Sequence, residues 1–182
     1  MNELSLHILD IVQNSIKANS TLVKIIINED HQNDLYTISI IDNGYGMDSK
    51  TLSEVADPFF TTRTTRKVGM GVSLFKMACE MADGFFSIES EVNVGTKVCA
   101  TFKNSHIDRA PLGDIEDTIS ILILNDKNID IYYEHVVNGK KFVFDTVEIK
   151  QVLDGIPFTN YDVIMWIKSN IKDGIDTIQE EE

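Results

Sequence analysis

Residues 42–47 read Asp-Asn-Gly-Tyr-Gly-Met (DNGYGM) and follow directly on an apolar run that predicts a β-strand. The carboxylate of Asp42 is therefore placed at a strand end. There it can accept a hydrogen bond from the exocyclic amine of adenine, whereas the carbonyl oxygen of guanine would repel it. Gly44 and Gly46 let the backbone approach a planar base closely. A plain Asp-Asn-Gly turn is common, but the second glycine and Met47 favour a base-binding loop.

A polar stripe lies on the helix that apolar spacing predicts over residues 4–18. It carries Asp10, Asn14 and Lys17, which project from one helix face. Asn14 can offer an amide oxygen to Mg²⁺, Asp10 can polarise a water or an acceptor hydroxyl, and Lys17 can meet phosphate charge. The solvated face of any amphipathic helix looks similar, so this stripe alone is weak evidence for a site.

A phosphate site is predicted where Gly69-Met70-Gly71 opens a helix predicted over residues 71–82. Free N–H groups at a helix N-terminus offer partial positive charge to phosphate. The preceding segment, 57–70, has no periodicity and is rich in hydroxyl groups and arginine, as expected of a lid over a triphosphate. Another candidate is Thr96, which follows Gly95 and could bond the base. The lid candidates are Phe60, Thr61, Thr62 and Arg63.

The overall composition disfavours some classes of function. The chain of 182 residues has a formal net charge of -13 and no basic footprint, so nucleic-acid binding is not expected. No apolar run reaches membrane-spanning length and no signal peptide is recognisable, which predicts a cytoplasmic protein without a membrane segment. Cys79 and Cys99 lack metal-ligand spacing and are expected to be free, buried thiols.

The character of the sequence changes after Lys103. Residues 105–117 mix charges with a proline and a glycine and predict a linker between a domain at 1–104 and a region at 118–182. The later region matches no motif, so a packing extension over a sheet edge or face and a dimerisation or partner domain both stay open. The elements predicted in it are strands at 118–124 and 130–136, a hairpin at Asn138-Gly139, and helices near 146–154 and 160–178.

The order of these motifs resembles the ATP-binding domain of the GHKL superfamily, which comprises gyrase, Hsp90, histidine kinases and MutL-type proteins. The resemblance covers about residues 1–104 and rests on the conjunction of motifs. It implies a Bergerat-type α/β (α+β) two-layer sandwich, with helices on one face of a mixed sheet and here a C-terminal α+β extension. The cofactors it implies are ATP and Mg²⁺. The P-loop signature GxxxxGK[ST] is absent.

The resemblance also implies roles for individual residues. Asn14 matches the Mg²⁺-binding asparagine and Asp42 the adenine-binding aspartate. Lys17 and the lid sequence Asp57–Arg63 are similar to the histidine-kinase version, with arginine where that lid usually carries lysine. Asp10 stands where the mismatch-repair branch has a general-base glutamate. The other nucleotide-binding residues implied are Gly44, Gly46, Met47, Phe60, Thr61, Thr62, Arg63, Gly69, Met70, Gly71 and Thr96.

Two functions from different classes are compatible with these residues. The first is a stand-alone cytoplasmic signalling ATPase or protein kinase, with Asp10 as base, Lys17 and Arg63 clamping the γ-phosphate, and a partner protein as acceptor. The second is a nucleotide-gated binding module with little or no catalysis. A mismatch-repair clamp ATPase is disfavoured by the short lid and the acidic surface. His7 lacks the sequence context of a phospho-acceptor and is expected at the pocket edge or in packing. The C-terminal region is a candidate for homodimerisation.

Overall fold

The structure, a computed structural model, describes residues 2–55, 70–125 and 127–179. No helix in these ranges is long and apolar enough to cross a membrane. The helices are α1 Leu4–Lys17, α2 Ser49–Val55, α3 Gly71–Met81, α4 Ile115–Ile123, α5 Thr146–Leu153 and α6 Tyr161–Gln179. The strands are β1 Leu22–Asp30, β2 Leu35–Asp42, β3 Phe85–Glu91, β4 Gly95–Lys103, β5 Asp130–Val137 and β6 Lys140–Asp145.

The strands form one mixed sheet in the order β3-β4-β2-β1-β5-β6. Neighbouring strands are antiparallel except β1 and β5, which run parallel. Alternate residues are buried because successive side chains of a strand point to opposite faces. The helices cover this apolar face, and the predicted two-layer α+β sandwich is confirmed. The buried residues on the two central strands include Val23, Ile25, Ile27, Ile38 and Ile40.

Helix α1 is anchored at both ends by contacts that the sequence pattern only partly reveals. Its first N–H groups, from Leu4 and Ser5, donate to the carbonyl groups of Pro111 and Leu112. These bonds satisfy donors that have no partner within a helix. Beyond the C-terminal end, Asn19 adopts a left-handed conformation with φ 57°, which ends the helix. The stripe facing the core is Leu4, Ile8, Ile11 and Val12.

The strand predicted at 118–124 is wrong, because Ile115–Ile123 forms helix α4. Its β-branched residues favour a strand locally, but its buried residues have helical spacing. The side chain of Asp114 caps the helix by accepting a hydrogen bond from the N–H of Asp117. The residues that α4 buries against α1, α6 and β5 are Ile115, Thr118, Ile119, Leu122 and Ile123.

The residues after Lys103 continue the same sheet and the same core. Strand β5 pairs with β1 along its length, and α4 begins inside the segment 105–117 that the sequence suggests as a linker. Ile119, Ile131 and Tyr133 are fully buried in one cluster with residues of α1 and β1. The division into domains at 1–104 and 118–182 stays a prediction.

The two cysteines differ in their environments. Cys79 on α3 is fully buried, and its thiol donates to the carbonyl of Thr101 at 3.0 Å. Burial raises the pKa of this thiol to about 11. Cys99 on β4 is half-buried and accepts a contact from the Ser39 hydroxyl. Both are free thiols, as predicted, but only Cys79 is fully buried.

Register places three polar residues in one row on the helix-facing side of the sheet. Asp42 at the end of β2 pairs with Thr96 of β4, which pairs in turn with Ser90 of β3. The apolar residues Ile40, Val98 and Ile88 occupy the neighbouring inward positions. The C-terminal half of α1 lies over this end of the sheet, and the candidate site is formed there.

Candidate functional site

A cavity of about 470 Å³ lies between the C-terminal half of α1, the end of β2, helix α2 and the β3–β4 turn. The fold thus brings together residues that are up to 87 positions apart in the sequence, from Ile11 to Val98. Its apolar walls and few polar groups are typical of small-molecule sites. The predicted residues that line it are Asn14, Lys17, Asp42, Gly46, Met47 and Thr96; its apolar lining includes Ile11, Ile40, Val72, Ile88 and Val98.

Asp42 is held from two sides. The hydroxyl of Ser15 donates to its Oδ2 at 2.6 Å, and the N–H of Gly44 donates to its Oδ1 at 2.8 Å. Each carboxylate oxygen can accept a second hydrogen bond, so Asp42 can still receive a donor from the cavity. Ser15 was missed in the sequence because it lies in the buried face of α1, where a small polar residue gives no distinct signal.

The loop after Asp42 is packed so closely that its glycines are required. A Cβ on Gly44 would lie 2.7 Å from the Ser20 hydroxyl oxygen, too close for any real contact. Gly46 has φ 65°, and a Cβ there would overlap the carbonyl oxygen of Glu91. This close packing lets the loop form one wall of the cavity, as Gly46 and Met47 do.

A set of hydrogen bonds joins this loop to the β3–β4 turn. The N–H of Met47 donates to the hydroxyl of Ser90 at 2.8 Å. The same hydroxyl donates to the carbonyl of Gly95 at 2.9 Å and lies 2.9 Å from the hydroxyl of Thr96. The sequence did not identify Ser90 either, because a serine in a short strand is common and does not by itself indicate a binding site.

Besides Gly44, three predicted residues in the described parts of the chain lie outside the cavity lining. Asp10 is one turn before Asn14 on α1 and faces α3, where a Cβ on Gly71 would come within 3.0 Å of the Asp10 Cβ. Gly71 is buried at the start of α3, and Met70 beside it is 64% exposed. Asp10, Met70 and Gly71 are therefore neighbours of the cavity and do not form its wall.

Further polar residues line the cavity that the sequence did not single out. Tyr45 lies within the DNGYGM stretch, and Asp48 and Thr51 follow it at the start of α2. Their position directly after the glycine loop is a signal that could have identified them. Asn93 lies in the β3–β4 turn and donates its N–H to the carbonyl of Tyr45 at 2.8 Å.

His7 is a packing residue. It is 2% exposed, and its ring stacks on Phe75 of α3 with 5.2 Å between centroids. Burial lowers the pKa of His7, and the charge of Asp10 opposes that effect. No group in the described parts of the chain hydrogen-bonds either ring nitrogen. A buried neutral ring in this setting stabilises the α1–α3 contact and is not accessible to a partner.

Comparison with known families decides what kind of domain holds this cavity. Residues 2–106, more than half of the chain, match the family model described as histidine kinase-, DNA gyrase B-, and HSP90-like ATPase. The chain belongs to this family. The predicted GHKL membership is thereby confirmed, and the matched residues contain the whole cavity lining.

Several relatives of this GHKL domain among curated proteins are named as sensor proteins. A sensor protein of Shewanella frigidimarina is 36% identical over 97 residues, which are 52% of this chain and 15% of that protein. The sensor protein kinase FleS of Pseudomonas aeruginosa is 34% identical over 110 residues, 60% of this chain and 27% of that protein. The chain spans about a quarter or less of the length of these relatives, so the likeness concerns the ATPase domain of histidine-kinase type.

Solved structures support the same fold. The MutL ATPase domain of Aquifex aeolicus complexed with ADP aligns with a TM-score of 0.53 at 12% identity, covering 85% of this chain and 70% of that one. The N-terminal domain of a DNA repair protein aligns with a TM-score of 0.52 at 19% identity, covering 79% and 52%. At such low identity the likeness shows the GHKL fold alone.

Residues 57–69 of the predicted GHKL lid lie outside the described residues. Phe60, Thr61, Thr62 and Arg63, together with Gly69, belong to this segment, and their contacts with a nucleotide stay predictions. The roles of the cavity residues in binding a nucleotide or Mg²⁺ likewise stay predictions.

The donor groups of this GHKL cavity are compatible with Mg²⁺ held jointly with phosphate. Among residues 2–55, 70–125 and 127–179, no three His, Cys, Asp or Glu side chains are grouped as a metal centre. Mg²⁺ commonly takes few protein ligands and completes its shell with water and substrate phosphates. The amide of Asn14 lines the cavity and can supply one such oxygen.

Proposed function

We propose that this chain binds ATP with Mg²⁺ in the cavity and acts as a cytoplasmic signalling ATPase or kinase. The γ-phosphoryl group would pass to a hydroxyl of a partner protein, or to water, and leave ADP. One observation carries the proposal: a single cavity is lined by Asp42, whose carboxylate oxygens can each accept a further hydrogen bond, and by Asn14 and Lys17. The sensor kinases among its relatives support the choice of a signalling role.

The base would lie at the end of β2. The carboxylate of Asp42 favours a ligand with an exocyclic amine, because an amine donates where a carbonyl would repel. The neighbouring apolar side chains of the sheet, including Ile40 and Val98, suit a planar ring. Gly46 and Met47 would lie against one side of that ring.

The triphosphate would extend towards the C-terminal half of α1. Lys17 is exposed and lines the cavity, so its ammonium group can meet phosphate charge there. Asn14 would supply an oxygen to Mg²⁺, and Arg63 of the lid would assist Lys17 at the γ-phosphate. Most of the catalysis would come from positioning and charge stabilisation, as in other phosphoryl transfers.

Asp10 would be the base that takes the proton from the acceptor hydroxyl or water. We expect Asp10→Asn to keep ATP affinity within about twofold and to lower ADP formation by about 10²- to 10⁴-fold, the usual contribution of a general base. Calorimetric titration with Mg·ATP and an ADP assay measure the two effects. Asp162→Asn on α6 makes the same charge change far from the cavity and should alter neither.

A second function is favoured by the position of Asp10. Because Asp10 is not among the residues that line the cavity, the chain could bind ATP and respond to it without turnover. In that nucleotide-gated module, ATP would order the lid at 57–70 and a partner would detect the change. The wild-type protein would then bind Mg·ATP without releasing ADP, and no protein in a lysate would acquire label from γ-labelled ATP. Those two results together would exclude the kinase.

A further inference from the structure

Ser90 occupies a central position behind the cavity wall without lining the cavity itself. It lies on β3 opposite Thr96, and Thr96 lies opposite Asp42 in the next strand pair. Its hydroxyl oxygen is within 2.9 Å of three groups: the N–H of Met47, the carbonyl of Gly95 and the hydroxyl of Thr96. Ser90 thus connects the loop and the strand that form the base end of the cavity.

The proton directions in this cluster follow from what each group can donate. A serine hydroxyl has one proton and can accept two hydrogen bonds. The N–H of Met47 can only donate, so Ser90 accepts from it; the carbonyl of Gly95 can only accept, so Ser90 donates its single proton there. Its contact with Thr96 is then a hydrogen bond only if Thr96 donates. This assignment satisfies all three contacts at once.

The assignment determines what Thr96 offers to the cavity. With its proton given to Ser90, the Thr96 oxygen presents only lone pairs. Asp42 in the adjacent strand also presents only lone pairs, because the Ser15 hydroxyl and the Gly44 N–H donate to its carboxylate. At the base end of the cavity, the side chains of Thr96 and Asp42 therefore both present hydrogen-bond acceptors only.

We propose that Ser90 is a positioning residue for base selection: by holding the Thr96 proton away from the cavity, it keeps the site selective for adenine over guanine. The inference rests on the proposed binding of ATP at this site. An adenine amine finds acceptors there, whereas a guanine carbonyl meets lone pairs from both Asp42 and Thr96. A buried mismatch of this kind costs more than the loss of one ordinary hydrogen bond.

Removal of the Ser90 hydroxyl should change the selectivity as well as the affinity. In Ser90→Ala the Thr96 hydroxyl loses its acceptor and can rotate its proton into the cavity, where it can donate to a guanine carbonyl. The N–H of Met47 also loses its partner, which should weaken binding of every nucleotide alike. The ratio of ATP to GTP affinity therefore separates the two effects.

The experiment is a calorimetric titration of the full chain with Mg·ATP and Mg·GTP. We expect the wild type to prefer ATP and Ser90→Ala to reduce that preference by about tenfold. Adding Thr96→Val to Ser90→Ala removes the freed proton and should abolish the gain in GTP affinity. Ser87→Ala, the same change on the same strand at a position not in this row, serves as the control and should leave the ratio unchanged.

If Ser90→Ala does not fold, Ser90→Cys replaces it, because a thiol of similar size accepts weakly and should shift the ratio in the same direction. An ATP to GTP ratio that stays at the wild-type value in the folded variant would overturn the inference, even if both affinities fall. A wild type that binds neither nucleotide would overturn the proposed function, and the inference with it. A wild type that binds both equally would overturn the inference alone.

Discussion

Gly46 shows most directly how one residue supports the site. Its φ of 65° and the Glu91 carbonyl facing it leave no space for a side chain. We expect Gly46→Ala to lower the free energy of unfolding by more than the ~1–2 kcal/mol that a left-handed conformation costs a non-glycine residue, and to weaken ATP binding, because Gly46 lines the cavity. Denaturant unfolding and ATP titration measure the two effects.

Gly139 provides the matched control for this prediction. It has φ 86° in the β5–β6 turn, and a Cβ there would meet nothing within 4 Å. Gly139→Ala should therefore show the backbone cost alone, about 1–2 kcal/mol, with ATP affinity unchanged. Equal losses of stability for the two variants would contradict the close packing of Gly46 against Glu91.

From the sequence alone, a residue of the site can be recognised when its amino-acid type stands out among its immediate neighbours in the chain. Asp42, Gly46 and Asn14 could be predicted because a glycine-bearing turn after a strand and a polar stripe on a helix are local patterns. Ser15 and Ser90 could not, since their meaning depends on partners 27 and 43 positions away. Only the fold brings the hydroxyl groups to Asp42 and to the N–H of Met47.

At the scale of elements, a buried network fastens β1 to β5. His135 on β5 is fully buried; one ring nitrogen lies 2.8 Å from the Tyr133 hydroxyl and the other 2.7 Å from Oε1 of Glu29 on β1. Oε2 of Glu29 lies 3.4 Å from His31. Burial disfavours the charged form of Glu29, but its hydrogen bonds and charge interactions with His135 and His31 outweigh that effect and lower its pKa.

The lowered pKa of Glu29 gives a defined pH dependence. A carboxyl group whose pKa is lower in the folded chain stabilises the fold above its unfolded value, about 4.3, and this contribution is lost as the pH falls through the folded pKa. We expect Glu29→Gln to lower the free energy of unfolding by about 1–3 kcal/mol at pH 7 and by less at pH 3.5. Urea unfolding at both pH values measures the difference.

Glu89→Gln is the control for the Glu29 prediction. Glu89 is exposed on β3, so the same change of charge there should have little effect at either pH. A loss of stability in Glu29→Gln that is the same at pH 7 and pH 3.5 would show that the carboxylate charge does not contribute through this network.

The prediction of secondary structure failed where burial against distant parts of the chain determined the conformation. Residues 118–124 contain several β-branched residues, and local propensity favours a strand. Their partners in the core, which include α1 and α6, are not visible in the local sequence and select a helix. By contrast α1 and α3 match the helices predicted over 4–18 and 71–82 to within a residue, because their apolar period is long and clear.

At the scale of the whole molecule, the family match ends at residue 106 but the core does not. Strand β5 covers the edge of β1, and the carbonyl groups of Pro111 and Leu112 accept the first N–H groups of α1. Without the later residues, β1 would become an exposed apolar edge strand, which promotes aggregation. Helix α1, which carries Asn14 and Lys17, would lose its contact with α4.

We therefore expect the fragment 2–106 to lack a cooperative thermal transition and to bind ATP at least tenfold more weakly than the full chain, because α1 loses its contacts with α4 and with the carbonyl groups of Pro111 and Leu112 and no longer holds its place over the cavity. Circular dichroism melts, size-exclusion chromatography and ATP titration provide the measurements. Adding the fragment 107–179 in trans should restore the transition, since it carries β5 and α4. A fragment 2–106 that melts cooperatively within a few degrees of the full chain would show that the matched residues fold alone, and would assign the C-terminal elements to another role.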